Sequence, residues 1–288
     1  DYLHNCTNQS FSFVECSNCS HLYLNPRPKI ENINQIYPND YSTYERQFGK
    51  KGSFLTLVKD LILINRFKKI EKYLPKNPRI LDIGCGDGAF LLALRRKYPK
   101  SELFGLDFKF GKGVIKDLKK ANISIIESTI ETANFNKIKF DLITANQIIE
   151  HVWDVSSVLK KCYEILSKNG VISLETPNPD GWDRHFFYNK SWGGYYIPRH
   201  LNLFSKTHLK LTLENNKFHV LRQHSLLAPP CWIYSFQFYF VNIKMKFIGK
   251  MVFSDTNIFW LATFTILDLV AKLFGAETSN QKIIAKKI

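Results

Sequence analysis

The sequence predicts an α/β fold, with a largely parallel sheet covered by helices on both faces. Three observations lead there. Short apolar runs alternate with amphipathic ones from residue 79 to residue 224, and a glycine-rich turn separates the first strand pattern from the helix after it. The chain is also long enough, at 288 residues with 45% hydrophobic side chains, to bury a core on both sides of a sheet. Alternation at this spacing requires crossover connections, and these place helices over the sheet.

Residues 1 to 45 are rich in Cys, Asn, Pro and Tyr without helical period, which sets them apart as a small cysteine-containing module. Apolar residues then recur at three- and four-residue steps from Ser53 to Leu74, with Ser53 as N-cap and Pro75 as stop, and this predicts an amphipathic helix. Strands are expected at Arg79 to Ile83, Glu102 to Asp107, Ile123 to Glu127, Phe140 to Ala145 and Val171 to Thr176. Helices are expected around 88–98, 111–121 and 155–168. A helix near 205–216 leads to a sixth strand, Phe218 to His224, and the terminal QKIIAKKI reads as a seventh. The expected division is 1–45 for the module, 46–225 with 276–288 for the main domain, and 226–275 for an insertion.

Charge says less than its size suggests. The 40 basic and 25 acidic residues leave +15, which attracts nucleic acid or anionic membrane. The excess, however, is 31 Lys against 9 Arg, accompanied by 22 Asn, the bias of an AT-rich genome rather than of bidentate base readers. Nucleic acid is therefore not the expected partner. No basic start followed by an apolar segment and a small-residue cleavage site is visible, so the expected compartment is the cytoplasm, with the six cysteines reduced.

The strongest chemical signal is ILDIGCGDGAFL, residues 80–91. Glycines at 84, 86 and 88 let the backbone turn tightly and approach a ligand, and the helix that follows offers unpaired amides. A dinucleotide loop would read G-x-G-x-x-G; here the pattern is D-x-G-x-G-x-G, and an acid at Asp82 repels phosphate while suiting an amino group or a sulfonium amino acid. Twenty-five residues after Asp82 the second strand ends on Asp107, where a carboxylate accepts from a ribose diol.

These residues resemble motif I of class I S-adenosylmethionine-dependent methyltransferases, and FDLITANQIIEHV (140–152) and LSKNGVISLETPN (166–178) resemble that family's fourth and fifth strands. The resemblance implies a Rossmann-like seven-stranded sheet with the last strand antiparallel. It also implies an enzyme that binds S-adenosylmethionine and releases S-adenosylhomocysteine. The cofactor residues it implies are Asp82, Gly84, Cys85, Gly86, Gly88, Asp107, Phe108, Thr129 and Asn146. Many relatives carry Gly-Asp after the third strand, the Asp accepting from adenine. Here Ser128-Thr129 stand in that place, so Thr129 or a neighbouring amide takes the contact. The segments HLYLNPRP (21–28), YPNDYSTY (37–44) and PRHLNLFS (198–205) are similar to a bacterial branch with an N-terminal cysteine, zinc-ribbon-like, module, found among glycan- and lipid-modifying genes.

Methyl transfer to a hydroxyl needs a base, and histidine suits neutral pH. His151 follows the fourth strand, and His200 lies in the aromatic segment after the fifth; each is a catalytic candidate or a structural turn residue. Tyr195, Tyr196 and Arg199 line an acceptor pocket or form a lid. Cys16-Ser-Asn-Cys19 is a zinc half-site, and Cys6, with His4 or His21, completes a candidate structural set.

Residues 226–275 hold 12 aromatics between Trp232 and Phe274, and Lys244, Lys246 and Lys250 interrupt the first apolar stretch. In the second, Thr265, Asp268 and Lys272 form a narrow polar stripe. Neither run spans a bilayer. A helix pair lying on a membrane surface, a homodimer interface and a cap on the sheet all fit. The membrane placement makes the acceptor a glycan or lipid-linked precursor and the protein peripheral on the inner membrane face. Two other classes remain: a non-catalytic S-adenosylmethionine-binding module and a nucleic-acid methyltransferase.

Overall fold

In the computed structural model, residues 6–7, 9–37, 54–187 and 190–288 are described. His4, the Ser53 cap and residues 38–44 of YPNDYSTY lie outside them. The chain enters through a hairpin, β1 (Ser12–Glu15) and β2 (Leu22–Asn25), followed by α1 (Ile33–Ile36) and the long α2 (Phe54–Glu71). Then come β3 (Arg79–Ile83), α3 (Ala89–Lys97), β4 (Glu102–Asp107), α4 (Lys112–Lys120), β5 (Ser124–Glu127) and β6 (Phe140–Asn146). They are followed by α5 (Val155–Ile165), β7 (Leu166–Pro177), the short α6 (Arg184–Phe187), β8 (Asn202–Leu203), α7 (Lys206–Asn215) and β9 (Phe218–Leu226). The chain closes with α8 (Pro229–Asn242), α9 (Lys246–Val252), α10 (Ile258–Leu273) and β10 (Asn280–Lys287).

The main sheet has seven strands in the order β5-β4-β3-β6-β7-β10-β9. Strands β3 to β7 pair in parallel, and β10 lies antiparallel to both β7 and β9. The predicted last strand is thus inserted between the fifth and the sixth. Both faces are covered. One core joins Leu81, Ile143 and Ile172 to Leu159 and Cys162 of α5 and Leu209 and Leu213 of α7; the other joins Ile80, Leu142 and Ile284 to Phe67 and Ile70 of α2 and Leu91 of α3. Residues of β3 and β6 alternate between the two cores, as period-two pleating requires.

One boundary differs from expectation. The helix predicted to reach residue 168 ends at Ile165, and β7 starts at once with Leu166. Leu166 pairs with Phe140 and Val171 with Leu142, so Ser167–Gly170 bulge out of the ladder, with Asn169 at φ 66°. The polar KN pair lacks the apolar face that would continue the helix.

The hairpin is tied to the main domain: β2 pairs with β8 through Leu22–Leu203 and Tyr23–Asn202. Helices α8 to α10 make a third core, in which Trp232 stacks on Phe264 at 5.4 Å and Phe236 on Phe253 at 4.5 Å. Here α10 reverses the usual amphipathic arrangement. Asp268 is fully buried and accepts from the amide of Ala228 and the indole of Trp232, while Lys272 Nζ donates to the Ser225 carbonyl at 2.7 Å. The polar stripe therefore faces the protein. Ile258, Phe259, Ile266, Leu269 and Leu273 face outward.

Candidate active site

The sheet order reverses between β3 and β6, and the loops after those strands open on one edge. Open α/β sheets bind ligands at such a switch point. The chain turns out of β3 with Gly84 and Gly88 both in the left-handed region, at φ 67° and 70°. A Cβ at Gly84 would collide with the Ile148 side chain, and one at Gly88 would lie 2.6 Å from Leu118 Cδ2. The loop is therefore pressed between the turn after β6 and α4, and the left-handed backbone there favours glycine.

A cleft of about 200 Å³ lies against this loop, lined among others by Asp82, Gly84, Cys85, Asn146, Glu175 and Lys282. Asp82 is buried and takes the Thr144 hydroxyl at 2.6 Å; burial lifts its carboxyl to about 7. Asp107 ends β4 and accepts the Gly86 amide on Oδ2 at 2.9 Å, which fixes the loop against the neighbouring strand. Burial raises its carboxyl and the amides around it oppose that rise. Phe108 follows, 38% exposed, with Tyr37 edge-on to its ring at 5.8 Å.

Thr129 lies in the loop after β5, exposed, sharing a hydroxyl contact of 3.1 Å with Thr132. Cys85 is buried, with its thiol pushed up by desolvation, and it packs against the α-carbon of Gly105.

Sequence reasoning missed the ionic floor of this cleft. Glu175 of β7 accepts from Lys282 of β10 at 2.9 Å and from Arg66 of α2 at 3.2 Å, and both Glu175 and Lys282 are buried. A signal was present. A Lys inside a strand buried on both faces needs an acid across the ladder, and Lys282 stands directly opposite Glu175.

The two histidines do come together. Glu150 is fully buried beside them, its Oε2 accepting the Thr176 hydroxyl at 2.9 Å and its Oε1 lying 4.0 Å from His151 Nε2 and 3.9 Å from His200 Nε2. Desolvation pushes Glu150 up to about 8, His151 down to about 4 and His200 well below its ordinary value. Tyr37 links this group to the cofactor side, its hydroxyl 2.9 Å from His151 Nδ1. Arg199 is buried, and its guanidinium donates to the Ile36 carbonyl at 2.8 Å, so it holds the N-terminal segment in place.

The contacts around the cysteines do not support the zinc set. Among the described residues, the only group of three or more His, Cys, Asp or Glu ligand atoms within 4.8 Å of one another is Glu150, His151 and His200. Cys16 and Cys19 adjoin each other, but Cys6 lies by Arg199, and His21 is engaged by Asn202 at 3.2 Å.

A glycine loop fastened to an acid at the end of the adjoining strand, in a seven-stranded sheet with one inserted antiparallel strand, defines the class I S-adenosylmethionine-dependent methyltransferases. Sequence comparison makes this specific: residues 59–223 match the model of the methyltransferase domain family, and the chain belongs to that family. Malonyl-[acyl-carrier protein] O-methyltransferase of Legionella pneumophila is 27% identical over 148 residues, covering 49% of this chain and 50% of the relative. The chain thus spans about half the length of that relative. Demethylmenaquinone methyltransferase of a Geobacillus species is 26% identical over 190 residues, 62% of this chain and 77% of the relative. The fold is shared with coclaurine N-methyltransferase, solved with N-methylheliamine and S-adenosylhomocysteine: TM-score 0.56, 16% identity, 85% of this chain and 80% of that one.

Proposed function

We propose that the chain transfers a methyl group from S-adenosylmethionine to an acceptor presented at a membrane surface, a glycan or lipid-linked precursor. When bound, the cofactor supplies an electrophilic methyl on a sulfonium. The observation that carries the assignment is the Asp107–Gly86 contact at the mouth of the glycine loop. Asn146 supports the fit: its side-chain oxygen is buried in the cleft lining without a hydrogen-bond partner, an acceptor waiting for a donor such as an α-amino group.

The chain's residues then divide the work. Asp82 and Asn146 face the amino end, Arg66 and Lys282 offer positive charge to a carboxylate, and Asp107 takes the ribose hydroxyls beside Phe108. Thr129 stands where adenine would be read. Alignment of acceptor and methyl supplies about 7–11 kcal/mol of barrier lowering in favourable cases. His151 and His200 form the polar group toward which an acceptor hydroxyl and its proton are directed.

The surface part of the reading rests on α10. A helix whose charged stripe is buried and whose apolar side faces outward is built to meet something apolar, and Lys244 and Lys250 lie exposed on the adjoining segment. The relatives named above act on demethylmenaquinone and on an acyl-carrier protein; we carry over methyl transfer alone. The test is incubation of the purified chain with methyl-labelled S-adenosylmethionine and either membrane-lipid or aqueous extract. Label in a lipid-phase product is expected; label only in water-soluble products removes the surface reading, and none in either removes the activity.

A further inference from the structure

We infer that Glu150, His151 and His200 form a binding site for one divalent transition-metal ion. This deepens the function proposed above, because the site would act on the acceptor side of the same sheet edge.

His200 Nδ1 lies 2.7 Å from the Gly194 carbonyl, and His151 Nδ1 lies 3.0 Å from the Arg199 carbonyl. A carbonyl only accepts, which assigns the proton to Nδ1 of His200 and, with the Tyr37 hydroxyl at 2.9 Å accepting alongside the carbonyl, to Nδ1 of His151. Each Nε2 therefore presents a lone pair, and both lie within 4.0 Å of Glu150 Oε1. That oxygen is itself buried without a hydrogen-bond partner, while its companion Oε2 is held by Thr176.

The two ring nitrogens and Glu150 Oε1 thus converge in a desolvated space, and among the described residues the buried Oε1 has no hydrogen-bond partner. Such an arrangement is costly for the protein alone, since a buried acceptor without a donor forfeits about 1–3 kcal/mol. A cation satisfies all three at once. The outer contacts are also those of a metal site: imidazoles oriented by Nδ1–H to backbone carbonyls, and a carboxylate held by a hydroxyl on its other oxygen.

The chemistry of the set selects the ion. Two imidazoles and one carboxylate suit zinc or another first-row divalent ion, whereas calcium and magnesium prefer oxygen alone. The Glu150 Oε1 atom lies 3.9–4.0 Å from each Nε2 and all three ligand atoms lie within 4.8 Å of one another, so ligation at about 2.0–2.2 Å requires them to draw together by about 0.5–1.5 Å. Three protein ligands leave a position open, and His151, 20% exposed in its side chain, is the member nearest solvent. An acceptor hydroxyl bound there would lose its proton more readily, which gives the two histidines a role as ligands instead of direct bases.

The experiment is zinc titration of chelator-treated full chain by calorimetry, with bound metal counted after dialysis. Wild type and the Cys16→Ser/Cys19→Ser variant are each expected to hold one zinc. Glu150→Gln and His200→Gln are expected to bind at least about 100-fold more weakly. S-adenosylhomocysteine binding in the same samples reports folding and is expected to be unchanged. The cobalt-loaded wild type should show ligand-field bands without thiolate charge transfer. The proposal is overturned if wild type holds no metal, if zinc is lost with the cysteines, or if Glu150→Gln, still binding S-adenosylhomocysteine, retains it. Failure of the methyltransferase reading would show separately, as absence of S-adenosylhomocysteine binding in every sample.

Discussion

Asp107 Oδ2 accepts a hydrogen bond from the amide of Gly86 at 2.9 Å, so the acid at the end of one strand holds the turn that leaves its neighbour. Asp107→Ala strands that part-buried amide and removes the acceptor for a ribose diol. A loss of about 1–3 kcal/mol in stability is expected, with S-adenosylhomocysteine affinity falling at least tenfold. Calorimetry and thermal melting read the two effects separately, and unchanged affinity would remove Asp107 from the cofactor site.

Gly84 carries two constraints that mutation separates. Gly84→Ala places a Cβ against Ile148 and also forces a left-handed φ of 67°, worth about 1–2 kcal/mol by itself. Adding Ile148→Ala relieves the collision and leaves the backbone cost. Denaturant midpoints should therefore recover only in part in the double variant, whereas Gly84→Arg should abolish S-adenosylhomocysteine binding.

Asp82 makes the pH dependence directional. Its folded value of about 7 lies above the unfolded value of about 3.9, so the native state holds the proton longer. Its contribution to stability is complete below the unfolded value and is lost as pH rises through about 7. Wild type minus Asp82→Asn is expected to show stability falling between about pH 4 and pH 7 by up to about 1.4 kcal/mol per unit and levelling off above. Affinity for a ligand bearing an ammonium should rise across pH 7 in wild type and stay flat in the variant.

The pair Glu175–Lys282 is buried on both sides, with 4% and 5% of the side chains exposed. Lys282→Met leaves an acid with only Arg66 and should cost about 3–5 kcal/mol. The double variant Glu175→Gln/Lys282→Met should regain most of that in chemical denaturation while its cofactor affinity stays low. Recovery of both would make the pair structural only.

The outward face of α9 and α10 is tested by flotation with vesicles containing anionic lipid. Wild type should float. Phe247→Ser/Leu273→Ser and Lys244→Gln/Lys250→Gln should each reduce it, the second by about 1 kcal/mol per removed charge and only at low salt. A wild-type dimer that the first variant dissolves, with no flotation, would assign the face to a second copy of the chain.

Much of this protein is written locally. The edges of β3 and β4 are set by apolar runs ending at Ile83 and Asp107, and the glycine spacing at 84, 86 and 88 marks the turn between strand and helix, because those constraints act within a dozen residues. What the sequence alone left open is whatever depends on partners far along the chain. Whether Asp268 faced water or protein was decided by two indoles and an amide brought to it from other elements. Lys282 meets Glu175 across 107 residues, and His200 meets Glu150 only because the segment before β8 folds back onto the turn after β6, where the Leu201 amide donates to the Glu150 carbonyl. Burial gives such contacts their energy, and burial belongs to the assembled sheet. The strands and the loop were therefore legible from the chain, while the ionic floor, the histidine cluster and the outward apolar face were decided by tertiary packing.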